Sequence, residues 1–434
     1  MKALVIATLA LLGCGSINAA EIDQNLIKQG EYLARAGDCV ACHTAKDGKP
    51  FAGGLPMETP IGTIYSTNIT PDKTGLGDYS FEDFDKAVRH GVAKNGSTLY
   101  PAMPYPSYAS VNQTDMQALY AYFMHGVAPV AQENNASDIP WPLSMRWPLA
   151  GWRWMFAPAV ADYKAAPGED AVVSRGAYLV EGLGHCGACH TPRALTMQEK
   201  ALNAGEGSAF LSGSAPLEGW IAKSLRGDHK DGLGSWSEEQ LVQFLKTGRS
   251  DRSAVFGGMS DVVTHSMQYM TDNDLTAIAR YLKSLPANDP DDQPHQYDKQ
   301  VAQALWNGDD SKPGASVYID NCAACHRSDG HGYTKVFPAL AGNPVLQSED
   351  PTSLIHIVLK GGTLPATHMA PSTFTMPGFA WRLSDQELAD VVSFIRSSWG
   401  NGGSPVKASE VANLRTDDMK TTSSDDLGQV TQKN

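Results

Sequence analysis

Cys39-Val40-Ala41-Cys42-His43 decides how this chain is read, because the pattern returns as Cys186-Gly187-Ala188-Cys189-His190 and as Cys322-Ala323-Ala324-Cys325-His326. Two thiols two residues apart with a histidine directly after them suit three chemistries: a redox dithiol, a zinc site or a covalently held haem. A redox dithiol needs one such pair beside a βαβ pattern and no histidine after it, and no strand-helix alternation surrounds these motifs. Zinc needs a second ligand pair at suitable spacing, and each copy brings only its own two cysteines. Covalent haem accounts for every position. The thiols form thioethers to the two vinyl groups of one porphyrin, and the adjacent histidine lies under the iron.

Seven cysteines occur in the 434 residues, and six are in the motifs. The seventh, Cys14, lies in the opening stretch MKALVIATLALLGCGSINAA, where Lys2 precedes an apolar run from Ala3 to Leu12 and small residues follow. That stretch reads as a secretory signal peptide over 1–20. The run falls well short of the ~20 residues a bilayer crossing needs. Leu11-Leu12-Gly13-Cys14 also resembles a lipoprotein cleavage box, which would make Cys14 a lipid anchor. In an oxidising compartment, three unprotected Cys-x-x-Cys pairs would oxidise unless already used, which favours a covalent use of all six. The net charge of −13 argues against nucleic acid as a partner, since that needs a basic footprint.

The surroundings of the motif repeat as well. GEYLARAGD (30–38), GAYLVEGLGH (176–185) and GASVYIDN (314–321) each begin with glycine and carry apolar residues at helical spacing, so each predicts a short helix that delivers the cysteines. Downstream, Thr114-Asp115, Thr271-Asp272 and Ser384-Asp385 open three further helical patterns, with Ser384 and Glu387 spaced as a capping box. Pro286 and Gly400 stop the second and third of these. Each unit therefore reads as helix, motif, a Gly- and Pro-rich middle, and closing helix. The motif histidines are 147 residues apart (43 to 190) and then 136 (190 to 326), which suits domains of about 100 residues plus linkers. The expected boundaries are 21–127, a Trp-rich connector 128–172, 173–286, a linker 287–312, 313–400 and a polar tail 401–434.

A methionine stands between each motif and its closing helix: Met103 in LYPAMPYPSY, Met259 in VFGGMSDVV and Met376 in FTMPGFAWRL. All three are expected in loops rich in Pro or Gly, able to bring a thioether to the iron opposite His43, His190 and His326. A filled sixth position leaves no place for oxygen or peroxide and marks electron transfer. Met267, Met270 and Met369 compete as ligands, and His90, His125, His265 and His368 offer bis-histidine alternatives. Arg193 is a candidate partner for a haem propionate, the other reading being a solvated side chain. The four tryptophans Trp141, Trp147, Trp152 and Trp154 either form a docking surface for a partner or pack between the first two units.

Taken together, GEYLARAGDCVACHT, FAGGLPMETPIGTIYSTNITPD, LYPAMPY, GHCGACHTPR, DLTAIARYLKSLP, FPALAGNP and MPGFAWRLSDQELADVVSFIRSSWGN resemble the three-haem cytochrome c subunit of membrane-bound dehydrogenases, over roughly residues 30–400. That family includes the cytochrome subunits of gluconate, sorbitol, fructose and alcohol dehydrogenase complexes. The resemblance implies three mainly helical, cytochrome-c-like domains in tandem and three haems c. They would be held by Cys39, Cys42, Cys186, Cys189, Cys322 and Cys325, with His43, His190 and His326 proximal and Met103, Met259 and Met376 distal. It further implies a dehydrogenase catalytic subunit carrying FAD or PQQ, a small third subunit, ubiquinone or an oxidase as acceptor, and work at the periplasmic face of the inner membrane. The chain itself would have no catalytic residue. A free-standing periplasmic carrier and a multihaem reductase or peroxidase are the rival readings. The polar tail gives no support to a C-terminal amphipathic anchor.

Overall fold

The structure is a computed structural model that describes residues 23–217 and 219–416; the expected signal segment and Cys14 lie outside them. It is mainly helical, with two short antiparallel hairpins: Pro56–Thr59 with Gly62–Tyr65, and Gly361–Thr363 with Thr375–Pro377.

Its apolar residues gather into three buried clusters. One contains Leu33, Phe84, Met116, Leu119 and Phe123, the second Leu179, Phe210, Leu211, Leu275 and Ile278, and the third Tyr318, Leu388, Val391 and Trp399. Each is built on a crossing of an opening and a closing helix. Gln24–Ala36 crosses Gln113–His125, Ala171–Ala177 crosses Asp272–Ser284, and Ala315–Asn321 crosses Asp385–Arg396. The glycine that begins each repeated segment is the crossing point. A Cβ on Gly30, Gly176 or Gly314 would run into the carbonyl oxygen of Ala118, Ala277 or Asp390, respectively. Backbone therefore meets backbone at the one position where only glycine fits.

The caps follow the sequence for two closing helices. Thr271 accepts the Asp274 amide at 3.2 Å, and Ser384 and Glu387 form a reciprocal capping box. The first closing helix begins at Gln113 rather than after Thr114, and the Gln113 amide donates to Asp162 at 3.1 Å. The connector thus supplies a cap that local sequence does not. Between motif and closing helix, the units also hold helices at Phe81–His90, Glu238–Thr247 and Thr352–Lys360.

The first and second units meet through a reciprocal clamp. Tyr32 on the first opening helix donates to Asp274 of the second unit at 2.6 Å, and Tyr178 of the second unit donates to Asp115 of the first, also at 2.6 Å. The same two helix positions exchange partners, giving a local pseudo-two-fold. Arg175 grips Asp274 in bidentate fashion at 2.8 and 2.9 Å. Burial raises the Asp274 carboxyl, but the Arg175 and Tyr32 bonds outweigh this and hold it below the ordinary range. Tyr32→Phe and Tyr178→Phe are each expected to cost ~1–2 kcal/mol, since each leaves a carboxylate short of a donor. Denaturant midpoints of the purified variants check this. The second and third units meet at Arg249, which is buried and donates to the Ala370 and Ser372 carbonyls at 3.0 and 2.8 Å, and at the Trp220–His356 ring pair, 4.4 Å apart.

The boundaries drawn from sequence shift at three places. Residues 128–139, given to the connector, fold back on the first unit: Asn68 donates to the Val130 carbonyl at 2.8 Å, and Ile139 is buried. Gln300–Trp306, given to the linker, is a helix that inserts Val301 and Leu305 into the third core. Residues 401–416, given to the tail, also join that core: Val406 and Val411 are buried, and Arg415 bonds Asp385 and the Leu383 carbonyl. In each case one or two apolar residues in a polar stretch find a partner surface that composition does not reveal.

Candidate haem sites

Each motif is a single helical turn. Cys39–Cys42, Gly187–His190 and Ala323–His326 are helical, and the histidine amide donates to the first cysteine carbonyl at 3.0, 2.9 and 3.0 Å. Residues three apart lie on one side of such a turn, so both sulfurs of a pair are offered to the same side, with the histidine one residue further round. Cys39, Cys186 and Cys322 are the inward members, and burial pushes each thiol up to about 12. Cys42 and Cys189 are exposed.

The histidines are oriented by one device used three times. His43 Nδ1 lies 2.7 Å from the Thr67 carbonyl, His190 Nδ1 2.7 Å from that of Lys223, and His326 Nδ1 3.0 Å from that of Pro338. A carbonyl only accepts, so Nδ1 carries the proton and Nε2 keeps its lone pair. This is the arrangement a metal-ligating imidazole needs. The histidine's own carbonyl is held too, by the amides of Gly53, Gly213 and Gly332 at 2.8, 2.8 and 3.1 Å. All three glycines have positive φ. Burial lowers the pKa of each imidazole, against the carbonyl bond, which favours the neutral ligand form.

The methionines share the cores of their cysteines. Met103 and Cys39 pack against the first cluster, Met259 and Cys186 against the second, and Met376 and Cys322 against the third, all six half-buried. Only Met103 lies in a turn as expected. Met259 is in the first turn of the helix Gly258–His265, and Met376 is on a strand paired with Gly362. The competing methionines occupy other environments: Met267 and Met270 are buried core residues and Met369 is exposed. Among the histidine alternatives, His90 pairs loosely with Asp85, His125 and His368 are exposed, and His368 packs on Tyr269. Arg193 donates to the Met197 and Ala188 carbonyls, both at 2.7 Å, and so braces its own loop.

Sequence reading missed two buried carboxyls beside the motifs. Burial pushes Glu199 up to about 7 and, together with the Asp261 charge, Asp38 up to about 8. Asp38 Oδ1 is buried without a hydrogen-bond partner. A carboxyl whose folded pKa exceeds its unfolded value of about 3.9 favours folding below that pH and loses its contribution as pH rises through the folded value. Asp38→Asn, which tolerates the φ of 51° at this position, is therefore expected to gain ~1–3 kcal/mol on the native chain between about pH 4 and pH 8. Thermal unfolding across that range checks it.

A cytochrome c family model matches residues 311–399. Relatives extend the likeness over as much as 96% of the chain. The gluconate 2-dehydrogenase cytochrome c subunit of Pantoea cypripedii is 64% identical over 422 residues, 96% of both chains. The chain belongs to the cytochrome c subunits of dehydrogenase complexes. The cytochrome c subunit of a quinone alcohol dehydrogenase from Gluconacetobacter polyoxogenes is 57% identical over 408 residues, 93% of this cytochrome subunit and 87% of the relative. The fructose dehydrogenase cytochrome subunit of Gluconobacter japonicus is 36% identical over 442 residues, 96% and 89% of the two chains.

Family membership indicates haem c, and the residues of this cytochrome subunit fit that group. The donor set is two thiols and a neutral imidazole on one turn. Beyond it, Tyr100 Oη in the first unit and Trp236 Nε1 and Arg226 Nε in the second are buried donors with no partner in the protein. A buried donor left unmatched costs ~1–3 kcal/mol, and a group bearing carboxylate oxygens would satisfy such donors.

Proposed function

We propose that this cytochrome subunit binds three haems c and passes electrons from a dehydrogenase catalytic subunit, carrying FAD or PQQ, to ubiquinone or a terminal oxidase at the periplasmic face of the inner membrane. The observation that carries this reading is the threefold recurrence of one site: a Cys-x-x-Cys-His turn, an imidazole anchored through Nδ1 to a main-chain carbonyl, and a methionine on the same core. When bound, haem c supplies a one-electron iron couple.

The protein's own residues do the rest. Cys39 and Cys42, Cys186 and Cys189, and Cys322 and Cys325 hold the three groups by thioethers. His43, His190 and His326, with Nε2 free to bind, and Met103, Met259 and Met376 would hold the iron between them, and a fully held iron would be closed to oxygen and peroxide. Each unit is a cytochrome-c-like domain in a tandem of three. The clamp of Tyr32, Tyr178, Asp115 and Asp274 fixes the first site against the second, and Arg249 fixes the second against the third. Substrate chemistry belongs to the catalytic subunit, as the names of the relatives suggest.

The test is isolation of the native complex in detergent, identification of the co-purified flavin or quinone, and addition of sugar, sugar-acid and alcohol donors. Haem bands that reduce with one of these donors and reoxidise with a ubiquinone analogue support the reading. A chain that emerges alone, or a haem that is high-spin and binds cyanide readily, would contradict it.

A further inference from the structure

The hairpin that carries Met376 has short arms and a long end. Its strands Gly361–Thr363 and Thr375–Pro377 pair over three residues, and residues 364–374 run between them. Within that end, Leu364 donates to the Phe374 carbonyl at 2.9 Å, and Thr367 and Ala370 exchange amide bonds at 3.1 Å. Among the described residues, none of 364–374 joins the hydrophobic core of the third unit, whereas Met376 packs against it. A loop fixed only at its base frays, because few buried contacts offset the entropy of ordering it.

The second unit supplies what the third does not. Arg249 is 6% exposed, and its Nη2 donates to the Ala370 carbonyl at 3.0 Å and the Ser372 carbonyl at 2.8 Å. Its guanidinium carbon lies 5.3 Å from the centre of the Phe374 ring, two residues before Met376. Arg249 is itself held, since its backbone bridges to Ala254 and its carbonyl accepts from the Thr247 hydroxyl at 2.8 Å. On the other arm of the loop, Pro365 sits against Gly248, close enough that an added Cβ would lie 3.1 Å from its ring. Gln268, also of the second unit, accepts the His368 amide at 3.1 Å. Phe374 in turn meets Phe337 edge-on at 5.8 Å, and the neighbouring Pro338 supplies the carbonyl that orients His326. One guanidinium thus touches the loop that ends in the expected distal ligand and, through two rings, reaches the segment that aims the proximal one.

We propose that Arg249 of the second unit is a positioning residue for the third site, setting residues 364–374 so that Met376 stays on its iron. The inference rests on the reading of Met376 as the distal ligand. Arginine suits the task because its planar group keeps its charge, donates in fixed directions and lies flat over a ring. Bonds from a charged donor are stronger than neutral ones, so the loop is pinned from outside its own unit. Met376 can then leave the iron only when these bonds break or the two units part. Cyanide competes for the same position, and its binding rate reports how often the methionine leaves.

The test follows cyanide binding, the methionine-to-iron band and urea unfolding on the oxidised, haem-loaded full chain. Arg249→Gln and Arg249→Lys are expected to speed cyanide binding at one site of three, the glutamine variant by about ten-fold or more and the lysine variant by less. Neither should add to the effect of Met376→Ala, because a ligand already absent cannot leave faster. Val411→Ala, a fully buried position of the third core, is expected to lower the urea midpoint and leave cyanide binding as in the parent. Should both arginine variants fail to fold, Gln268→Ala, which removes the other bond to the loop, is expected to act in the same direction. Parent-like cyanide binding in the Arg249 variants, or in Gln268→Ala where it stands in for them, overturns the proposal even if the urea midpoint falls. So does a full additive effect of Arg249→Gln in the Met376→Ala background. A parent-like spectrum in Met376→Ala itself overturns the ligand assignment beneath the proposal, so the two failures are told apart.

Discussion

Gly176→Val is expected to destabilise the chain by about 3 kcal/mol or more and to broaden its unfolding, because the two backbones that cross at this residue leave no room for a side chain. A Cβ there meets the Ala277 carbonyl and the Tyr281 side chain, and relief requires the opening helix to move off Asp272–Ser284. Those two helices also carry Arg175, Tyr178 and Asp274, so the clamp to the first unit should loosen with them. Gly30→Val is expected to act alike in the first unit. In the third, Gly314 adds a φ of +83°, which disfavours any side chain. The control is Gly258→Ala. This position is helical and open, with nothing near a new Cβ, so the substitution should be neutral or gain up to ~1 kcal/mol. Urea unfolding separates the cases, and equal midpoints for Gly176→Val and the parent would remove the crossing from the account.

Met259→Ala and Met270→Ala are expected to fail in opposite ways. Met259 is half-buried and packs on the core that also takes Cys186. Its loss should open one coordination position, giving a high-spin, cyanide-binding haem and a lower potential at one site of three. Stability should fall by less than ~2 kcal/mol, since little buried volume is removed. Met270 is 1% exposed within the same cluster. Its truncation should cost ~2–5 kcal/mol and leave the visible spectrum unchanged. Spectra and melting curves on the two proteins decide between the sequence candidates directly. A high-spin signal in the Met270 variant alone would reassign the ligand.

Much of the site is legible in sequence because it is local. A Cys-x-x-Cys-His pentapeptide fixes its own turn, and Thr271 and Ser384 cap helices with atoms within three residues. What escapes is set by contacts distant in sequence. The carbonyls that orient the three histidines come from Thr67, Lys223 and Pro338, in segments without regular structure. The start of the first closing helix is set by Asp162, and Met376 sits on a strand only because Gly362 lies opposite. The helices Phe81–His90 and Glu238–Thr247 did carry a signal. Ser80 with Asp83 and Ser237 with Gln240 form capping boxes, and the Gly-rich composition around them obscured it.

The tryptophan-rich connector divides between its two sequence readings. Trp152 packs inward between the first two units, whereas Trp141, Trp147 and Trp154 face outward. A density of aromatic residues does not reveal which way each ring points, because helical phase relative to the neighbouring unit is set by packing at Tyr105 and Thr196.

Six cysteines are expected to hold three haems. The most direct measurement is the mass of the intact exported chain after denaturation, with peptide mapping of the thioethers. The expected result is three haems per chain, one on each of the pairs Cys39 and Cys42, Cys186 and Cys189, and Cys322 and Cys325. One or two haems, free thiols at any motif, or zinc in place of haem would contradict it.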